Sequence, residues 1–163
     1  MSRTLALTIS AAALSVAALA SAAAAQRQAP LLTLPRAATA GQQTQFGRIS
    51  SLNRVGARYI MRFDAAWLLS GYPAQRAKLE DTGSGEVPND LYVVDETHRL
   101  LSYVVPAGTP VTVLTHGTNT TSIPVAALAR RVRTGQEKSV GFWLLIGNKY
   151  PTPVLSVDQQ YRP

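Results

Sequence analysis

The chain has 163 residues, with sixteen Lys and Arg against nine Asp and Glu, a formal net charge of +7, and no cysteine. The missing cysteine excludes a disulfide framework, thiol catalysis, thiolate metal ligation and a lipobox. The excess of base favours anionic partners, although charge alone specifies no fold.

The chain opens with Arg3, continues through an uncharged apolar run from Leu5 to Leu19, and reaches a small-residue stretch from Ser21 to Ala25. This order of n-region, h-region and cleavage motif reads as a secretory signal peptide over residues 1–25, with cleavage expected after Ala25. The run is rich in Ala and interrupted by Ser and Thr, and so falls short of the roughly 20 strongly apolar residues of a membrane span. The remaining segment of about 138 residues is enough for one domain that buries roughly two-thirds of its unfolded surface without covalent staples. Abundant Ala, and Arg in preference to Lys, fit a high-GC bacterial source. The expected location is secreted or associated with the cell wall.

Residues 26–45 contain Pro30, Pro35 and Gly41 among Gln, Ala and Thr, and show neither a helical nor a strand period. They read as a tether, which places a single β-rich domain at residues 46–163. FGRISSL and RYIMRF alternate in the manner of paired strands, and the link from Asn53 to Ala57 contains Gly56, so a hairpin is predicted. Asp64 is placed to cap a short helical turn over AAWLLSG, and Pro73 to open a second helix over AQRAKLED. The segment TGSGEVPND then reads as a loop. LYVVDE, LLSYVV and VTVLTH are three further predicted strands, followed by a polar turn from Gly117 to Ser122. After Pro124, the residues Val125, Leu128, Ala129 and Val132 recur at helical spacing, and Arg130, Arg131 and Arg133 load the last turn, where cations complement the helix dipole. GFWLLIGN and TPVLSVD supply the last two strands. The predicted fold is mainly β with one or two short helices, a small five- or six-stranded barrel-like domain of the OB kind.

Charge is segregated along the chain. Residues 26–63 hold six Arg and no acid, residues 64–99 hold seven acids against three bases, and residues 100–163 hold six bases against two acids. The basic flanks offer Arg48, Arg54, Arg58, Arg62, Arg130, Arg131 and Arg133 as contacts for an anionic partner. Aromatic residues interleaved with Arg between Phe46 and Phe63 would also suit a nucleic-acid groove. Tyr59, Met61 and Phe63 are better read as the core face of a strand, and export argues against a nucleic-acid ligand. Trp67, Phe142 and Trp143 are likewise expected in the core.

Catalytic patterns are sparse. Asp81-Thr82-Gly83-Ser84 spells the active-site turn of aspartic proteases, but charged residues of a helical pattern precede it and no second copy brings another carboxylate. The chain has no G-x-S-x-G and no nucleotide-binding glycine pattern. Asp95, Glu96, His98 and His116 form one weak cluster of oxygen and nitrogen groups at strand ends. Their spacing fits no metal loop, nor does that of Glu80, Asp81, Glu86 and Asp90, so no metal and no cofactor are expected.

At FDAAWLLSG, VPNDLYVVDETHRLLSYVVP and SVDQQYRP the chain resembles a family of small uncharacterised exported proteins of high-GC Gram-positive bacteria. The resemblance spans about residues 46–163. It implies export and a one-domain organisation, and carries no activity or site residue. The expectation is therefore a non-enzymatic binding domain for an anionic cell-envelope polymer or another exported protein. The alternative is a secreted hydrolase using His98 or His116 with a nearby carboxylate.

Overall fold

The computed structural model describes residues 36, 38–96, 99–117, 119–148 and 152–160. The signal-peptide reading, most of the tether and His98 lie outside the described residues. Eight strands form one open, mixed sheet: β1 (Gln42–Val55), β2 (Arg58–Ser70), β3 (Leu91–Val94), β4 (Leu100–Pro106), β5 (Val111–Leu114), β6 (Thr120–Ile123), β7 (Gly141–Gly147) and β8 (Val154–Gln159). Two α-helices, α1 (Gly71–Thr82) and α2 (Val125–Arg133), interrupt the strands.

The hairpin is longer than its sequence signature. β1 and β2 pair antiparallel from Phe46–Ala66 to Val55–Arg58, across a turn whose Gly56 has φ of 62°. Residues 42–45, read from sequence as the end of the tether, are the start of β1 and pair with β7. β1 therefore serves two neighbours, and a register shift between Ile49 and Ser51 marks its bend. β2 is shared in the same way, with Arg58–Asp64 against β4 and Trp67–Ser70 against β3.

The helical turn predicted over AAWLLSG is a correction. Residues 65–70 of that stretch form nearly half of β2, because Ala65 and Ala66 pair with β1 and Trp67 to Ser70 with Leu91 to Val94, and these partners override the capping signal at Asp64. The second helix is present as α1, and Gly83 ends it in the left-handed conformation, its N–H bonded to the Leu79 carbonyl. Asp90 accepts a hydrogen bond from the Gly71 N–H and so supplies the start of α1 with an acceptor that Ser70 does not provide.

The strand number also differs from the five or six expected. β6, which fell in the predicted polar turn, has the sequence TTSI and buries almost nothing, so it lacks the apolar alternation that marks a strand. It exists because β5 offers an edge with which it pairs from Val111–Ile123 to Leu114–Thr120. β5 also lies parallel to β8 through Val111–Val157, and an isolated parallel bridge joins Val104 of β4 to Pro153 just before β8.

The core is the inward face of this sheet closed over by α2. Met61 and Phe63 of β2, Val105 of β4, Val111 and Val113 of β5, Phe142 and Leu144 of β7, and Val157 of β8 are buried together. The helix adds Val125 and Leu128, with Ala129 and Val132 packed against the same cluster, as the 3.6-residue spacing requires. Burying each large side chain contributes roughly 1.5–3 kcal/mol. Among the described residues, no helix is long and apolar enough to cross a membrane.

Candidate functional site

The turn of the β1–β2 hairpin and the outer side of α2 build one cleft from three of the expected arginines. Arg54 is carried near the end of β1, opposite Tyr59 of β2. On α2, Ala126 stands three and four residues before Ala129 and Arg130, and these stand four and three before Arg133, so the four share one face. That face borders a cavity of about 250 Å³ whose other walls are Leu52, Asn53, Arg54 and Tyr59. Leu52 and Tyr59 are buried, so the floor is apolar, and Arg54, Arg130 and Arg133 supply the charge.

Among the described residues, none of these three arginines is ion-paired and no carboxylate borders the cleft. Arg54 Nε donates to the Gly56 carbonyl at 3.1 Å, which holds the side chain over its own turn. Arg130 and Arg133 sit in the last turn of α2, where the negative end of the helix dipole offsets part of their mutual repulsion. Guanidinium groups at such a site can form paired, charge-assisted hydrogen bonds to phosphate or carboxylate oxygens.

The other expected arginines are placed differently. Arg48 faces Asp95 at 3.8 Å, and Arg62 donates to the Ser102 hydroxyl. Arg131 lies 3.6 Å from the carboxylate of Glu137, which is buried at 5% exposure, so Arg131 compensates an internal charge. Arg58 is exposed at the first residue of β2 and does not border the cleft. The sequence nominated seven arginines as one set; the fold gathers three of them around a cavity.

Asp95 and Glu96 directly follow β3, which ends the sheet path, whereas His116 is exposed in the turn after β5 toward the other end of that path. No group of three or more His, Asp or Glu able to hold a metal occurs among the described residues. The Asp-Thr-Gly-Ser match sits at the end of α1 and in the following residues, where Asp81 accepts a hydrogen bond from the Tyr92 hydroxyl at 2.8 Å. This bond is the main cause that raises the Tyr92 pKa above its ordinary value, followed by desolvation and the charge of Asp81.

Of the three aromatic residues expected in the core, Trp67 lies outside it. Phe142 is buried as expected, and Trp143 packs on Phe46 with ring centroids 5.1 Å apart while its indole N–H donates to Gln160 Oε1 at 2.7 Å. Trp67 is instead 65% exposed, because β2 leaves β1 after Ala66 and carries the next residue out over a gap. That gap is a second cavity of about 520 Å³ between the N-terminal part of β1 and the end of β2. No motif marks it, since it arises from the divergence of two strands. No family model matches the chain, and neither a curated protein nor a solved structure matches it.

Proposed function

We propose that the protein is an exported, non-enzymatic binding domain that holds an anionic group of a cell-envelope polymer in the cleft between Arg54, Arg130 and Arg133. The observation that carries this reading is the convergence on one cavity of three guanidinium groups that form no ion pair among the described residues, above the buried Leu52 and Tyr59. A partly enclosed site excludes some water, which strengthens each guanidinium–anion contact relative to the open surface. Phosphodiester or carboxylate groups repeated along a polymer would occupy the cleft in turn, and the remaining positive charge would assist approach over about a Debye length.

The reading extends to the architecture. We propose an OB-type closure of the open sheet, supported by the antiparallel run β4–β2–β1–β7–β8, by the isolated parallel bridge from Val104 of β4 to Pro153 just before β8, and by α2 lying between β4 and β7 in the chain. β5 then continues the edge beyond β4 alongside β8, with β6 attached. Fold analogy does not select the ligand. The arginine cleft does that work, and the early apolar run before the tether supports export.

Retention on immobilised, phosphodiester-rich wall polymer at low and high salt is the test. Binding that weakens strongly as salt rises is the expected outcome. Passage through the column at both salt concentrations would remove this reading.

A further inference from the structure

The second cavity carries an inference independent of the arginine cleft. Phe46–Ala66 is the last β1–β2 pair and Trp67–Val94 the first β2–β3 pair, so Trp67 stands where the sheet forks. Two cavities, of about 520 and 350 Å³, meet there, and both are bordered by Trp67 and Glu96. The larger offers apolar walls from Phe46, Ala65 and Leu68, while the smaller lies over Leu69 and Val94 and reaches Asp81 at the end of α1. Among the described residues no Lys or Arg borders either one, in a chain whose formal charge is +7.

An indole left largely in solvent between two hollows of mixed apolar and acidic lining is a feature of recognition surfaces, where Trp acts as a rigid anchor. Its ring face attracts cations through the ring quadrupole, and a carboxylate beside it adds Coulombic attraction. Glu96 is exposed and forms no ion pair among the described residues. Glu80, which also borders the smaller cavity, is held 2.9 Å from Arg76 and is less available. Charge complementarity therefore selects the occupant.

We infer that the Trp67 fork binds an extended basic peptide segment of a partner protein. An Arg or Lys side chain of that segment stacks on the Trp67 indole with its charge toward Glu96, and a neighbouring apolar side chain enters the hollow beside Phe46 and Leu68. The domain then has two recognition ends of opposite preference: anions at the arginine cleft and cationic peptide at the fork.

The test is calorimetric titration of the full chain with a short synthetic peptide of alternating Arg and Leu, and with its counterpart carrying Gln for each Arg. The Arg peptide is expected to bind and the Gln peptide to bind at least tenfold more weakly. Trp67→Ala is expected to weaken the Arg peptide about tenfold, and Glu96→Gln several-fold. Both residues are exposed, so the fold is retained, and far-ultraviolet circular dichroism checks this. Arg130→Ala with Arg133→Ala should leave the peptide affinity unchanged, which separates this site from the arginine cleft. Equal binding of the two peptides, or parental affinity in both Trp67→Ala and Glu96→Gln, would overturn the inference.

Discussion

Gly47 lies so close to Asp64 across the β1–β2 pair that a Cβ at position 47 would overlap the Asp64 main-chain carbonyl oxygen. The same Cβ would stand 2.8 Å from the Phe63 ring and 2.9 Å from the Ala65 Cα. Two backbones and a core ring meet there, beside the bend of β1. Gly47→Ala is therefore expected to destabilise the fold by about 1–3 kcal/mol or more, as overpacking does. Gly108→Ala is the control, because nothing lies within 4 Å of a Cβ at that position. Urea unfolding midpoints of the two variants check the contrast; equal midpoints would contradict it.

Leu128 fastens α2 to the sheet and is fully buried. Its truncation to Ala is expected to cost about 2–5 kcal/mol, from lost burial and from the cavity left behind. The same helix carries Arg130 and Arg133, so the variant should also weaken anion binding, although position 128 does not border the cleft. Thermal unfolding and polymer retention measured on one preparation read both effects.

Arg131 pairs with a buried carboxylate, whereas Arg130 and Arg133 border the cleft proposed to bind anions. Arg131→Ala leaves the buried Glu137 carboxylate without its cation, and removing one partner of a buried pair costs roughly 3–5 kcal/mol, discounted here because Arg131 is itself partly exposed. Arg130→Ala and Arg133→Ala remove exposed side chains and should stay within about 0.5 kcal/mol of the parent. Chemical denaturation of the three single variants gives the comparison.

Tyr103 gives the fold a pH dependence on the alkaline side. Burial is the larger influence and raises its pKa above the ordinary tyrosine value, while its hydrogen bond to Gln45 acts the other way. A pKa raised in the folded state means that the unfolded chain loses the proton first. Stability is thus full below the ordinary tyrosine pKa of about 10 and declines as pH rises above it. Tyr103→Phe removes this contribution, so its loss of stability between about pH 8 and pH 11 should be smaller than that of the parent. Denaturation series at the two pH values test the difference.

The sequence was most legible where pattern and packing agree. α2 follows from Val125, Leu128 and Val132 at helical spacing, and β7 and β8 from dense apolar runs whose inward residues are buried. The end of β2 was hidden because Asp64 carries a good capping signal and its strand partners, Leu91 to Val94, lie more than twenty residues away in sequence. β6 was hidden because Thr120, Thr121 and Ser122 owe their strand to an edge rather than to apolar faces. The arginines were readable as a set but not by role. Local charge says nothing of Glu137 lying beside Arg131, or of Arg54 bordering the same cleft as α2. The exposure of Trp67 follows from strand divergence, which no single-segment pattern encodes.

The most direct measurement compares two double variants that remove the same charge from different places. Arg130→Ala with Arg133→Ala removes two of the three cleft arginines, whereas Arg58→Ala with Arg62→Ala removes two exposed arginines that do not border it. Retention on phosphodiester-rich wall polymer at near-physiological salt should fall at least tenfold for the first pair and little for the second. Equal losses for both pairs would show that net charge alone drives retention, and would contradict a dedicated anion site between Arg54, Arg130 and Arg133.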